Sequence, residues 1–191
     1  MFDLRFIRRS VLSGVLIGIG VIINSLSGNK YVGAALFSFA LLAIIHNGLP
    51  LYTGKIGFIR ENKISDLVLM LIFNLIGSLI PVLMVIFCKD DFFGTLFAAS
   101  EGKFSNNFLE LFFLGALCGV LMFIAVYSKN QIITVFCIMI FILSGFEHCI
   151  ADFPYLVVNF GGINAVKFLC IVIGNSAGSI LTYALMGRSL K

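Results

Sequence analysis

The chain is organised as apolar runs joined by short polar connections, and this pattern constrains its fold more than any other feature. A bilayer core of about 30 Å needs about 20 apolar residues in a helix, and several runs approach that length. Of the 191 residues, 60% are hydrophobic and 12% are charged, whereas a soluble domain is about 25% charged. We therefore predict an all-α integral membrane protein, with residues 1–191 forming a single transmembrane domain. Six spans are predicted, at about residues 11–26, 32–59, 66–88, 108–127, 132–158 and 163–186.

The second span is interrupted at residues 46–54, which read His-Asn-Gly-Leu-Pro-Leu-Tyr-Thr-Gly. Glycine and proline at this density break a helix, yet the flanking residues stay apolar. Irregular backbone at membrane depth is tolerated only where it is buried in protein or lines a wet cavity. The segment is therefore either a pore loop or a tight cytoplasmic turn after a shorter helix.

The fifth span is interrupted near Gly145 and carries an adjacent acid and imidazole, Glu147 and His148. Ionisable groups at membrane depth are costly and tend to mark a substrate or proton path. The alternative is a polar pair packed inside a helix bundle that substrate never touches. The same run ends in a second acid, Asp152.

The two halves of the chain share a short pattern. Asn74-x-x-Gly77 in the third span matches Asn175-x-x-Gly178 in the sixth, and the second and fifth spans are both broken. Three spans followed by three similar ones must have opposite orientations, which predicts two inverted three-helix repeats with a site near the midplane. The first repeat covers about residues 8–88 and the second about residues 107–188. Chance is the alternative, because the pattern is short.

Basic residues predict the orientation, because cytoplasmic connections carry an excess of them. One side holds Arg5, Arg8, Arg9, Lys55, Arg60, Lys63, Lys129, Arg188 and Lys191. The other side holds Lys30, Lys89, Lys103 and Lys167. Both termini are therefore predicted to be cytoplasmic. Because the basic residues lie in connections that set the topology, the net charge of +4 does not imply a nucleic-acid partner. The acidic segment 89–107 between the third and fourth spans is predicted to be a long loop.

The sequence offers no sign of enzymatic or metal chemistry. The five cysteines lack metal-ligand spacing, which favours buried thiols over a disulfide framework or a metal site. No Ser-His-Asp set, glycine-rich phosphate loop or pair of catalytic carboxylates is present. We predict neither an enzyme nor a bound cofactor.

Several of these segments together resemble the formate/nitrite transporter family. Residues 145–152 read Gly-Phe-Glu-His-Cys-Ile-Ala-Asp, which is similar to the family run Gly-Phe-Glu-His-Ser-Ile-Ala-Asn. Residues 50–53, Pro-Leu-Tyr-Thr, resemble the first-half signature, an acidic residue followed by Leu-Phe-Thr. Residues 114–119 and 173–178 resemble the fourth and sixth spans, so the likeness covers nearly the whole chain in the same order.

The resemblance implies an aquaporin-like protomer in the inner (plasma) membrane and a homopentamer with one pore per subunit. It implies passage of a small monovalent anion such as formate, nitrite, hydrosulfide or lactate, or of its conjugate acid, together with protons. By position it assigns His148 to the pore centre, Thr53 to the facing loop, and Lys103 to the outer entrance. The apolar constrictions would be Phe37, Leu41, Leu51, Tyr52 and Phe141, with Asn175 also in the pore and His46, Asp152 and Glu147 as possible additions.

The chain departs from the family pattern at four places. Pro50 replaces the acid of the first signature, Asp152 replaces an asparagine, and Gly119 replaces a pore asparagine. His46 has no usual counterpart. An added acid beside an anion path puts the substrate in question unless Asp152 is protonated or turned away.

Two mechanisms are open for His148. An apolar slit rejects a bare anion because desolvation costs many kcal/mol, and protonation of the ligand removes most of that cost. A histidine with an ordinary pKa of about 6.5 could donate and take back that proton. It could equally be a fixed hydrogen-bond donor. Adjacent helical residues point in different directions, so Glu147 is expected to pack between helices.

Two other functions compete with transport. His46 and His148 could be the axial ligands of a haem in a membrane redox protein, although no haem-attachment motif is present. The chain could also be a non-transporting structural subunit of a larger membrane complex.

Overall fold

The computed structural model describes residues 3–186, which fold entirely as helices and connections, with no strand among them. The α-helices of this part of the chain are α1 (Leu4–Leu26), α2 (Lys30–His46), α3 (Tyr52–Lys55), α4 (Ile64–Cys88), α5 (Asp90–Ser105), α6 (Phe108–Tyr127), α7 (Gln131–Leu143), α8 (Cys149–Val158) and α9 (Gly162–Met186). A 3₁₀ turn follows α3 at Ile56–Phe58. Arg188 and Lys191, which entered the orientation argument, and the predicted end of the second repeat lie outside the described residues.

Four helices, α1, α4, α6 and α9, are long and apolar enough to cross a bilayer. Three shorter helices, α2, α7 and α8, are also apolar. Side chains such as Phe39, Phe87 and Phe160 point out of the bundle and are at least two-thirds exposed in the single chain. Large apolar side chains facing outward on helices of this length indicate contact with lipid or with other membrane subunits. The predicted all-α membrane protein is confirmed at this level.

Both predicted interruptions are present, and they have the same local geometry. After α2, Gly48 takes φ +57°, and after α7, Gly145 takes φ +69°. Each glycine is followed by a residue whose N–H bonds back to the helix, from Leu49 to Ile44 O and from Phe146 to Phe141 O, both at 2.9 Å. This is the Schellman ending, in which a left-handed residue satisfies the last helical carbonyls. Glycine adopts this conformation without the steric penalty of a Cβ atom.

The long helices pack in two pairs, α1 against α4 and α6 against α9. A methyl group built at Gly14 would lie 2.8 Å from Gly77 Cα, and one at Gly119 would lie 2.9 Å from the Asn175 carbonyl carbon. Both distances are below contact, so the two helix backbones of each pair touch at these small residues, as is common in membrane bundles. Helices α2 and α7 pack together and bring the two interrupted segments close to each other.

The segment 89–107 is helical over Asp90–Ser105, so the predicted long loop was wrong. Phe92, Leu96, Ser100 and Phe104 are buried and recur every fourth residue, which is the spacing of one helix face. The acidic pair at the start of the segment suggested a loop, but acids in a first turn favour a helix through its dipole. Helix α5 packs against α4 and α8, and thereby covers the second interruption.

Candidate functional site

His148 stands immediately before α8 and caps its first turn. Its Nδ1 accepts a hydrogen bond from the Ala151 N–H at 3.2 Å. Because Nδ1 is the acceptor, the neutral ring carries its hydrogen on Nε2, an assignment that follows from the hydrogen-bond network. The residue is only 1% exposed. Its local position thus fixes both the orientation of the ring and the nitrogen that can donate.

Thr53 supplies the partner of that nitrogen from the other interruption. Thr53 Oγ1 lies 2.9 Å from His148 Nε2, and Thr53 is also 1% exposed. With Nε2–H donating to the hydroxyl oxygen, the Thr53 O–H remains available to donate to a further acceptor. The structure therefore joins the two broken segments through a buried pair in which the Thr53 O–H is free to donate, and the His148 Nε2–H becomes a second donor when a ligand takes the place of Thr53 Oγ1.

Asn74 holds the first broken segment in place. Its Oδ1 accepts from the Tyr52 N–H at 2.8 Å, and its Nδ2 donates to Pro50 O at 3.0 Å and to Ser10 O at 2.7 Å. The side chain is fully buried and bonds only to backbone groups. Asn74 thus satisfies the irregular backbone on both sides of Leu51.

Asn175 makes the same three bonds in the second half. Its Oδ1 accepts from the Cys149 N–H at 2.9 Å, and its Nδ2 donates to Glu147 O at 2.7 Å and to Gly115 O at 2.8 Å. Asn175 thus bonds the residues on both sides of His148, just as Asn74 bonds the residues on both sides of Leu51. The polar atoms of Asn175 are engaged by backbone, and a direct role of this residue in the pore stays a prediction.

The residues predicted to form apolar constrictions are all buried, and one of them, Phe141, contacts His148. Phe37, Leu41, Leu51, Tyr52 and Phe141 are all buried in the same apolar core. The rings of Phe37 and Phe141 meet edge to face with centroids 6.1 Å apart, and Phe141 stacks on the His148 ring at 5.7 Å. Tyr52 is held by a 2.8 Å bond between its hydroxyl and Ser176 Oγ. Their action as constrictions stays a prediction.

A small cavity of about 80 Å³ lies beside these rings, and we name it the Lys103 cavity. Its lining includes Phe37, Lys103, Phe141, His148, Asp152 and Tyr155. Lys103 comes from α5 and pairs with Glu147 and with Asp152 Oδ1, the latter at 3.0 Å. Glu147 and Asp152 are 3% and 2% exposed.

Asp152 is not turned away from this cavity, and its Oδ2 has no hydrogen-bond partner among the described residues. Glu147 does not line the cavity. The family resemblance implied a place for Lys103 at the outer entrance, which stays a prediction, and the sequence did not indicate that Lys103 pairs with both acids. The residues Phe92, Leu96, Ser100 and Phe104 recur every fourth position, and this spacing was the signal that could have predicted a packed helix carrying Lys103.

A second, much larger cavity of about 1280 Å³ opens at the other end of α7, and we name it the basic cavity. Lys55, Arg60 and Lys129 line it, together with Glu61 and Tyr183. The Tyr183 hydroxyl donates to Glu61 Oε1 at 3.2 Å. Three basic residues that the sequence assigned to one side of the membrane are therefore gathered around one opening.

His46 takes no part in the buried cluster. It ends α2 and is exposed, and its side chain makes no hydrogen bond or ion pair with the described residues. Both ring nitrogens of His148 are bonded to protein. The proposal of a haem between these two histidines therefore finds no support.

A helical membrane bundle in which two interrupted helices meet at buried polar side chains is the architecture of a membrane channel or transporter. The family model described as "Formate/nitrite transporter" matches residues 3–189. The chain belongs to this family, whose members are transporters and channels.

Individual relatives agree with this assignment. The chain is 28% identical over 181 residues to "Uncharacterized transporter YwcJ" of Bacillus subtilis (strain 168), covering 78% of this chain and 71% of that protein. It is 25% identical over 216 residues to "Nitrite transporter NirC" of Escherichia coli (strain K12), covering 98% and 79% respectively. A solved structure described as "Pentameric formate channel with formate bound" superposes with a TM-score of 0.76 at 20% identity, over 95% of this chain and 94% of that one, which shows the shared fold.

Proposed function

We propose that the chain conducts a small monovalent anion of the formate or nitrite class, or its conjugate weak acid, across the membrane in a proton-linked manner through His148. The observation that carries the proposal is the buried His148–Thr53 bond between the two interruptions. The names of similar proteins, a nitrite transporter and a formate channel, support this substrate class.

The chemistry of the pair suits such a ligand. An anion that leaves water needs replacement hydrogen bonds, because an unpaired charge in an apolar site costs many kcal/mol. The Nε2–H of His148 and the O–H of Thr53 can both turn to one oxygen of the ligand. Phe37 and Phe141 on one side, with Leu41, Leu51 and Tyr52 beside them, would exclude ions that cannot shed their water.

The proton link has two forms, and the cap bond favours one of them. An imidazolium ring carries hydrogens on both nitrogens, so a protonated His148 would turn an N–H toward the Ala151 N–H and lose the cap. A neutral ring keeps the cap and still donates from Nε2. The fixed-donor form is therefore supported, and in it the travelling proton comes to the ligand from another group.

The architecture we propose is two inverted repeats of three spans each, about residues 8–88 and 107–188, in one transmembrane domain. Matched Schellman endings, matched asparagine bonds and matched helix pairs support it. We also propose a homopentamer with one pore per subunit, supported by the described pentameric relative and by the outward-facing apolar side chains. The Lys103 cavity would face outward and the basic cavity the cytoplasm, in the inner (plasma) membrane with both termini cytoplasmic.

The test is a flux panel with the purified protein in liposomes. Formate, nitrite, hydrosulfide and lactate are offered one at a time at several pH values, with protein-free liposomes and His148→Phe as the two controls. We expect at least one of these ions to enter faster with the parent protein than with either control. Equal, background-level entry of all four ions in the parent and in protein-free liposomes would refute the proposed function.

A further inference from the structure

The buried cluster of Lys103, Glu147 and Asp152 beside the Lys103 cavity has one acid more than its cation can balance. We propose that Glu147 and Asp152 together retain one exchangeable proton, and that Asp152 presents it to the cavity as the proton donor for an incoming weak-acid anion. This inference rests on the proposed transport of such an anion. It assigns a proton-transfer site to a residue at which the chain departs from the family pattern.

The charge count is the first step. Lys103 supplies one positive charge, and Glu147 and Asp152 would supply two negative charges if both were ionised. The two carboxylates are buried almost completely, so water does little to screen the excess charge. Both also lie within bonding distance of the same ammonium, and like charges held this close favour a state in which one carboxyl keeps its proton.

The hydrogen-bond pattern indicates where that proton is accessible. Asp152 Oδ1 is taken by Lys103, whereas Oδ2 has no partner among the described residues. Asp152 lines the cavity and Glu147 does not. Asp152 Oδ2 is buried and unbonded within residues 3–186, in a residue that lines the cavity, and we infer that a proton on this oxygen exchanges with the cavity. The neutral carboxyl then also has the size of the asparagine that the family run carries at this position, with an O–H donor in place of the amide N–H.

Within residues 3–186, no cation other than Lys103 pairs with Asp152 or Glu147. The titratable groups that face it are Lys103 from α5, Glu147 and His148 from the interruption, Cys149 and Tyr155 from α8, and Cys118 from α6. Helices α1 and α2 contribute uncharged residues such as Asn24 and Phe37 to the cavity. Tyr155 is tied to Ser25 by a 3.0 Å bond between hydroxyls. Lys103 is thus the cation that the two acids share.

The transfer step is balanced without any other reactant. The Oδ2–H bond of Asp152 breaks, an O–H or S–H bond forms on the ligand, and the electron pair of the old bond stays on the Asp152 carboxylate. The negative charge has then moved from ligand to protein, and a neutral acid faces the Phe37–Phe141 slit. Water on the outer side returns a proton to Asp152, so one anion and one proton cross together.

The variant Asp152→Asn separates this role from a structural one, because it copies the shape of the neutral carboxyl and cannot release a proton. Formate entry into liposomes is measured for parent and variant between about pH 5.5 and about pH 8.5 outside. At low pH, formate should enter faster through the parent than through the variant, because Asp152 donates its proton. At high pH, formate should enter more slowly through the parent, because ionised Asp152 repels the anion. We expect the variant-to-parent flux ratio to rise about tenfold or more with pH. Asp91→Asn, an exposed acid of α5, is the matched control and should give a flat ratio.

A second measurement needs no variant and no transport. Infrared spectra of the ligand-free parent should contain a protonated-carboxyl band that shifts when aspartate is labelled with carbon-13 and disappears as the pH rises. A flat Asp152→Asn ratio, no such band at any pH, or a band that shifts only with labelled glutamate would overturn the inference. If no ion of the panel crosses while the aspartate band is present, the proposed function fails and the proton site stands.

Discussion

At the scale of single residues, His148 combines two tasks that usually fall to different side chains. Its Nδ1 ends a helix by accepting the Ala151 N–H, and its Nε2 donates to Thr53 across the two interruptions. The first bond dictates the tautomer that the second requires. A side chain fixed at both nitrogens is suited to donate repeatedly without changing its charge.

This double role predicts different outcomes for two substitutions of His148. His148→Asn keeps a donor and is itself a good helix N-cap, so the fixed-donor form predicts flux within about tenfold of the parent, since a neutral hydrogen bond contributes about 1 kcal/mol. His148→Phe removes the donor, and loss of a bond to a charged ligand, about 1.5–3 kcal/mol, should slow flux by about tenfold to a hundredfold. The measurement is initial formate flux in liposomes across pH.

The exposed histidine provides the control for that pair. His46→Ala should change the rate only modestly, because the His46 side chain lies outside the buried cluster. A slow His148→Asn that has also lost its pH dependence would instead support proton exchange on the ring. If His148→Phe conducts like the parent and His46→Ala is inactive, the pore is organised around the other interruption.

At the scale of elements, the two interruptions depend on two asparagines that bond only to backbone. Asn74 and Asn175 each satisfy one N–H and one carbonyl group that a broken helix leaves unpaired, and each also bonds a carbonyl of a continuous neighbouring helix, Ser10 O of α1 or Gly115 O of α6. Such groups cannot be satisfied by water inside a bilayer, so the protein has to supply the partners itself. These two side chains allow irregular backbone to persist at the depth of the site.

We predict that Asn175→Leu destabilises the protein strongly. It leaves the Cys149 N–H and the Glu147 carbonyl without their Asn175 partner and removes the bond to Gly115 O of α6, and each unpaired buried group costs about 1–3 kcal/mol. The free energy of unfolding, measured by denaturation in detergent, should fall by at least about 2 kcal/mol. Asn74→Leu should behave alike. Asn106→Leu, at a position whose side chain makes no hydrogen bond among the described residues, should be nearly neutral; a parent-like Asn175→Leu would show that these bonds do not hold the segment.

The sequence predicted these elements unevenly, and the reasons are physical. Glycine and proline determine the backbone conformation locally, so the interruptions after His46 and near Gly145 could be predicted from the local sequence alone. Asn74 and Asn175 were recognised as a matched pair, but their bonds to distant backbone groups depend on tertiary packing. Helix α5 was not predicted, because the acidic residues at its start suggested a loop even though its apolar residues recur at helical spacing. The joining of Lys103 to both acids could not be predicted, because it requires α5 to lie over α8.

At the scale of the whole molecule, charge is distributed unequally between the two ends of α7. The basic cavity gathers Lys55, Arg60 and Lys129 with one acid, Glu61, whereas Lys103 at the other cavity pairs with two acids. Basic residues at one end of a membrane bundle favour a cytoplasmic location for that end. The same asymmetry would concentrate anions at the basic opening and leave proton delivery to the other.

We predict that labelling of single cysteines will place Lys63 and Lys129 on the cytoplasmic side and Lys89 on the other. Each lysine is replaced by cysteine in a Cys88→Ser background, because native Cys88 is exposed. A maleimide that does not cross membranes should label Lys89→Cys in intact cells, and the other two variants only after lysis. Labelling of Lys63→Cys and Lys129→Cys from opposite sides would contradict the proposed topology.

The most direct test of the account is to follow formate and protons in the same liposomes. The parent protein is reconstituted with a pH indicator inside, and an inward formate gradient is applied at constant membrane potential. The account predicts that the interior acidifies in step with formate entry, with about one proton for each formate, and that His148→Phe slows both signals together by about tenfold to a hundredfold. Formate entry that carries current and leaves the internal pH unchanged would contradict a proton-linked passage at His148.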